Sequence, residues 1–205
     1  MKDQWLKWAQ RIQALSQAGL TFSRDAFDRE RYEELRKISK EMMALQSELT
    51  MQQLNLLFDK EQGYPTPKVD VRGVLFKDNT ILMVREKMDD KWSLPGGFCE
   101  VGLSPSENIA KEINEESGYH VVPIKLLSLL DTNKHEHPPQ PFHYYKIFIQ
   151  CEIVGGSQQI GIETNDIAFF SENHLPNLSL RRNTQEQIHM LFEFYRNPNK
   201  STVID

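Results

Sequence analysis

One short segment, Gly63-Tyr64-Pro65-Thr66-Pro67, limits what this chain can fold into more than any other. Its two prolines, two residues apart, fix φ, remove two amide donors and push the residues before them toward extended backbone, so no helix can run through it. Hydrophobic spacing also changes across it. Upstream, Trp5, Trp8, Ile12 and Leu15 recur at helical spacing between a candidate Asp3 cap and a stop near Gly19. Leu35, Ile38, Met42, Leu45 and Leu49 then alternate steps of three and four, with Leu56 and Phe58 extending the pattern after a break. Downstream, residues 69–76, 81–85, 121–130, 144–153 and 167–170 are rich in β-branched and aromatic side chains and read as strands. Helices are expected at 105–117 and 184–195. The reading is α+β: a small all-helical unit over 1–66, then a mixed sheet between helices over 67–205.

Such a helical unit has little core of its own, so the seam from Leu35 to Leu49 must meet another helix, either in a second copy of the chain or within the same chain. A homodimer is the sharper expectation.

Composition narrows the function classes. Acidic residues outnumber basic ones 29 to 24, a net charge of −5, so the overall field repels a phosphodiester polymer and any anionic substrate needs a local cation. Two cysteines, Cys99 and Cys151, are too few for a disulfide framework and read as free thiols. No basic leader is visible and no segment approaches the roughly 20 apolar residues that span a bilayer, so a cytoplasmic protein with no membrane partner is expected.

The chemistry is concentrated in 96–119, GGFCEVGLSPSENIAKEINEESGY. A glycine pair leads into a helix with a capping box at Ser104 and Glu107, Pro105 in its first turn and Gly118 as its left-handed stop. At 100° per residue Glu112, Glu115 and Glu116 share an arc of roughly 100°, beside an apolar face of Ile109, Ala110 and Ile113. Clustered carboxylates repel one another, a cost that becomes useful when a hard divalent cation sits among them. Without the glycines the same residues would read as a solvated face, with Lys111 pairing to Glu107 and Glu115.

This stretch resembles the Nudix box, G-x(5)-E-x(7)-R-E-U-x-E-E-x-G-U with U apolar: Gly97, Glu112, Ile113, Glu115, Glu116, Gly118 and Tyr119 fall in register. Val84-Arg85-Glu86, Trp92-Ser93-Leu94-Pro95, Phe169-Phe170 and Leu175-Pro176 extend the resemblance over about 68–196. It implies the Nudix α/β/α sandwich and Mg²⁺-dependent hydrolysis of the pyrophosphate in a nucleoside diphosphate linked to another group X, with Mn²⁺ as a substitute ion. The products would be a nucleoside monophosphate and X-phosphate. It also implies Glu112 and Glu116 as metal ligands, Glu115 as a third and the Gly97 carbonyl as a backbone ligand. Glu163, Glu115 and Glu116 compete as the base that takes a proton from water, with Glu163 preferred.

Two positions depart from the pattern. Leu103 stands where the family has Glu and Lys111 where it has Arg, which removes the pair that ties loop to helix and leaves Lys111 free to reach solvent. The helical unit before the box resembles a bacterial subfamily acting on X-linked nucleoside diphosphates, of the CDP-choline pyrophosphatase type; ADP-ribose is a substrate of the same kind. The loop from Asp131 to His143 offers a place for the nucleotide: Lys134, His135, His143 and, from a strand, Arg85 for phosphate oxygens, and Phe142 or Tyr144 for the base. Two other readings use the same motif, processing of RNA ends and a nucleotide sensor without turnover. Net acidity disfavours the first and the intact glutamates oppose the second.

Overall fold

A computed structural model describes Lys2 to Asp205, without the side chains of Lys2 and Asp3, so the expected Asp3 cap lies outside the described residues. The chain forms two compact units, one of Met1–Pro67 with Pro139–His143 and the other of Lys68–Pro138 with Tyr144–Asp205. The expected nucleotide loop is therefore divided, its last five residues belonging with the helices.

Three helices build the first unit: α1 (Lys2–Phe22), α2 (Ala26–Gln46) and α3 (Met51–Phe58). Asp25 caps α2 by accepting the Asp28 amide, and Thr50 and Gln53 form a reciprocal capping box on α3. Gly19 does not end α1, as its position suggested. The helix continues to Phe22, and Gly19 instead lets Tyr32 of α2 lie against it; a Cβ there would sit 2.4 Å from the tyrosine ring. The helices meet through a face that the apolar spacing did not indicate. Leu6, Ala9, Gln13, Ser16 and Gln17 of α1 and Ser39 and Met43 of α2 are buried, while Trp5 (50% exposed), Leu15 (66%) and Leu45 (81%) stand in solvent. Small and amide side chains allow the two backbones to come close, which leaves the larger stripe outside. Leu54 and Phe58 complete the core, with Phe142 4.7 Å from Phe58 between ring centroids.

The second unit contains two sheets where one was expected. β1 (Lys68–Val74), β5 (Tyr119–Asp131), β6 (Tyr144–Gly156) and β8 (Val203–Ile204) form a mixed sheet in the order β1-β6-β5-β8. β2 (Phe76–Lys77), β3 (Thr80–Glu86), β4 (Trp92–Ser93) and β7 (Thr164–Ser171) form an antiparallel one around β3. The expected strand 69–76 is split at Leu75, whose carbonyl accepts the Leu82 amide where the chain passes from one sheet to the other. Helix α4 (Pro105–Ser117) covers a cluster of Val71, Leu75, Leu82, Val84, Ile149 and Ile167. Helix α5 (Gln185–Arg196) covers another that includes Val74, Ile81, Phe148 and Leu178. Each such side chain contributes about 1.5–3 kcal/mol when fully buried. The segment 95–99 runs beside β1, where Gly73 donates to Pro95, Val71 to Gly97 and Cys99 to Val69. This pairing carries the glycine pair to the edge of α4. Among the described residues no helix is long and apolar enough to cross a membrane.

Candidate active site

Local signals fix α4 before any tertiary contact does. Glu107 Oε2 accepts the Ser104 amide at 2.8 Å, Ser104 Oγ accepts the Glu107 amide at 3.2 Å, and Gly118 closes the helix at φ 74°. Ile109 and Ile113 then press on β1 at Gly73, where a Cβ would fall 2.6 Å from Ile113 Cδ1. That close seating brings the next helix face to the glycine turn. Gly96 donates its amide to Glu116 Oε2 at 2.8 Å, and Gly97 lies so near Glu112 that a Cβ would come within 2.9 Å of its Oε1. At Gly96, φ is 139° and a Cβ would meet the Val71 carbonyl at 2.0 Å, so only glycine fits.

Glu116 is buried and Glu112 half-buried, and both are short of positive charge. Burial pushes the Glu116 carboxyl up to about 8, with nearby Glu86 and Glu112 adding to the rise and Arg72 and the Gly96 amide opposing it. Burial also raises Glu112. Arg72 offsets part of that, while Glu115 and Glu163 repel it further, so Glu163 lies within electrostatic reach of Glu112.

Glu115 stands apart, more exposed and 3.3 Å from Lys111 Nζ. Among the described residues no group of three His, Cys, Asp or Glu side chains is placed to hold one metal ion. Two carboxylates against a glycine turn still fit Mg²⁺, which keeps several waters and uses one or two carboxylates. The Gly97 carbonyl accepts the Val71 amide at 2.9 Å, which takes one of its two lone pairs.

Lys111 is not left to solvent as its lost family partner suggested. Its Nζ donates to Glu100 Oε1 at 2.7 Å, so Glu100 ties the loop to α4 in place of a carboxylate at Leu103. Pairs this exposed contribute little. Lys111→Met is expected to shift the melting temperature by less than about 2 °C and turnover by less than about threefold, as read by calorimetry and steady-state rates.

The remaining candidates are dispersed. Arg85 donates to Asp90 at 2.7 Å, and His135 Nε2 lies 2.9 Å from Asp205 Oδ2. Lys134 is exposed in a short 3-10 turn, Phe142 packs in the helical core, and His143 belongs to the helical unit. Sequence reasoning missed a buried ionic group. Asp70 receives Arg72 Nε at 2.7 Å and Nη2 at 3.0 Å, and Lys146 Nζ at 3.0 Å, while Arg72 Nη1 donates to the Leu94 carbonyl before the glycine turn. Burial works against the Asp70 carboxylate, but its two cations hold it below its ordinary range. Burial lowers Lys146 to about 8, with Asp70 resisting. Next to this group His137 is pushed down to about 4 by burial. Neutral, it donates from Nδ1 to the Leu180 carbonyl (2.7 Å) and accepts Gln187 Nε2 (3.0 Å) at Nε2.

The comparisons agree with this geometry. Residues 3–58 match a family model described as the UDP-X-like N-terminal oligomerisation domain, and residues 66–194 match the NUDIX domain. A Bacillus subtilis (strain 168) protein that carries the provisional name ADP-ribose pyrophosphatase YjhB is 59% identical over 205 residues, covering 100% of this chain and 99% of that protein. An ADP-ribose pyrophosphatase of Methanocaldococcus jannaschii is 34% identical over 123 residues, 58% of this chain and 71% of that one. Among solved structures, a UDP-X diphosphatase matches with 40% identity and a TM-score of 0.65, covering 100% of this chain and 99% of that one. With a capped, carboxylate-bearing helix seated on its glycine turn and a family model matched over most of its length, the chain belongs to the Nudix hydrolases.

Proposed function

We propose that this Nudix pyrophosphohydrolase cleaves, with Mg²⁺, the pyrophosphate of a nucleoside diphosphate linked to a second group, releasing a nucleoside monophosphate and X-phosphate. The observation that carries the reading is the pairing of two mutually repelling carboxylates, half-buried Glu112 and buried Glu116, with the Gly96-Gly97 turn. Mn²⁺ suits the same oxygen donors. When bound, the ion neutralises the diphosphate and makes nearby water more acidic. Glu112 and Glu116 would hold it, and Glu163 would accept the proton of the attacking water. Glu115, at the rim, is the alternative base. ADP-ribose is the first substrate to try, because two relatives carry that name, with UDP-sugars and CDP-choline beside it. Incubation of the protein and Mg²⁺ with this panel, followed by mass identification of both products, tests the reading. Failure to cleave any member would overturn it.

The helical unit is proposed to join two copies of the chain, in a cytoplasmic protein. Its exposed stripe of Trp5, Trp8, Leu35, Ile38 and Leu45 supports this, and residues 3–58 match a domain described as oligomerising. Ile38→Glu with Leu45→Glu places charges on that stripe without touching the buried core. Sedimentation should then show the mass halved with the circular dichroism kept. An unchanged mass would contradict the interface.

A further inference from the structure

The segment that carries the glycine turn also presents an aromatic side chain with no role so far. Phe98 directly follows Gly97 and is 57% exposed. Its backbone is held on both sides by β1, since Val71 donates to Gly97 and Cys99 donates to Val69, and Phe98 itself pairs with Asp70. Alternation along such a segment turns Phe98 away from the face on which Gly97 meets Glu112. It thus shares a face with Asp70. Tyr144, two residues before Lys146 on β6, lies on that face too, and its ring stacks on Phe98 with centroids 5.7 Å apart and planes 16° from parallel. On the same face lies the buried Asp70–Arg72–Lys146 group, in which Asp70 accepts from both cations.

An exposed, prestacked ring, fixed by backbone pairing one residue from the proposed metal-binding turn, suits a flat aromatic group joined to the diphosphate that the ion would hold there. We propose that Phe98, backed by Tyr144, is the platform on which the nucleobase of the substrate stacks. The inference rests on the function proposed above and adds a residue that sets specificity. Stacking reads a π-face and not hydrogen-bond donors, so a platform of this kind accepts more than one base and holds the larger purines better.

The test compares wild type, Phe98→Ala and Phe98→Trp. Loss of a base stack by alanine substitution corresponds to about a ten- to hundredfold change in binding. Phe98→Ala should raise KM by that factor on whichever panel member is cleaved, with kcat held within about threefold, and Phe98→Trp should restore KM. The rise should be larger for an adenine than for a cytosine or uracil substrate, and absent for a diphosphate diester without a base. Calorimetric titration with the non-hydrolysable α,β-methylene analogue of ADP-ribose should show the same loss and rescue of affinity. Because Phe98 is on the surface, the melting temperature should not move. A KM and affinity unchanged in Phe98→Ala, or an equal loss on the diester without a base, would overturn the platform and leave the hydrolase reading standing. A wild type that cleaves no member of the panel would overturn both.

Discussion

Glu116→Gln is expected to lower turnover at saturating Mg²⁺ by about a hundredfold or more, while raising the melting temperature of the metal-free protein at pH 8. The first effect follows from removing a charged ligand of the proposed ion, which would contribute several kcal/mol to transition-state stabilisation. The second follows from the cost of keeping a buried carboxylate ionised. Its folded pKa, about 8, lies above the ordinary value of 4.5, so between those limits the folded state binds more protons than the unfolded state. Stability is therefore full below about pH 4.5 and declines as pH rises toward 8. Gln has no charge to bury, and the variant should melt at least about 3 °C higher than wild type at pH 8 in chelator, with the gap closing toward pH 4.5. Steady-state rates and calorimetry read the two effects. A Gln variant with near wild-type turnover would remove Glu116 from the metal site, and one that melts lower than wild type at pH 8 would show that the carboxylate stabilises the metal-free fold.

Asp70→Ala is expected to have the largest effect on stability. It leaves the Arg72 and Lys146 cations buried without the carboxylate that both bond directly, and breaking a buried ion pair in this way costs about 3–5 kcal/mol. For a chain of this size that is a fall in melting temperature of roughly 10 °C or more. Lys146→Met should behave differently. It removes a cation whose charged form is penalised by burial, leaves the Asp70–Arg72 fork intact and fills similar volume, so stability should change by less than about 1 kcal/mol. Equal losses in the two variants would contradict this balance of charge.

The parts of the structure legible in the sequence are those fixed by local rules. Ser104, Pro105, Glu107 and Gly118 specify both ends of α4 from within the helix, and 100° spacing then places Ile113 and Glu116 on adjoining faces. The prolines at 65 and 67 mark where helical spacing gives way to strands. Less legible were features decided by partners distant in the chain. Alternation along β1 separates Asp70 and Arg72 from Val69 and Val71, but it cannot distinguish a solvated face from a buried one whose charges are paired. Only the alignment of Lys146 beside Asp70, 76 residues away, shows which it is. The same holds for Glu100 and Lys111, 11 residues apart across a loop. In α1 the tryptophans outweighed Ala9 and Ser16 as apolar signal, although the small residues allow the closer helix contact. β4 and β8, at two residues each, are too short to carry any period.

In the proposed reaction, a divalent ion held by Glu112 and Glu116 would promote the addition of water across a pyrophosphate. The most direct measurement is hydrolysis of the best panel substrate in ¹⁸O-enriched water, with Mg²⁺ and with chelator, followed by mass analysis of the products. Expected are a nucleoside monophosphate and X-phosphate, one ¹⁸O atom in only one of the two, no reaction in chelator, and loss of the reaction in the Glu112→Gln Glu116→Gln double variant. Equal cleavage in chelator, or a double variant as fast as wild type, would contradict it.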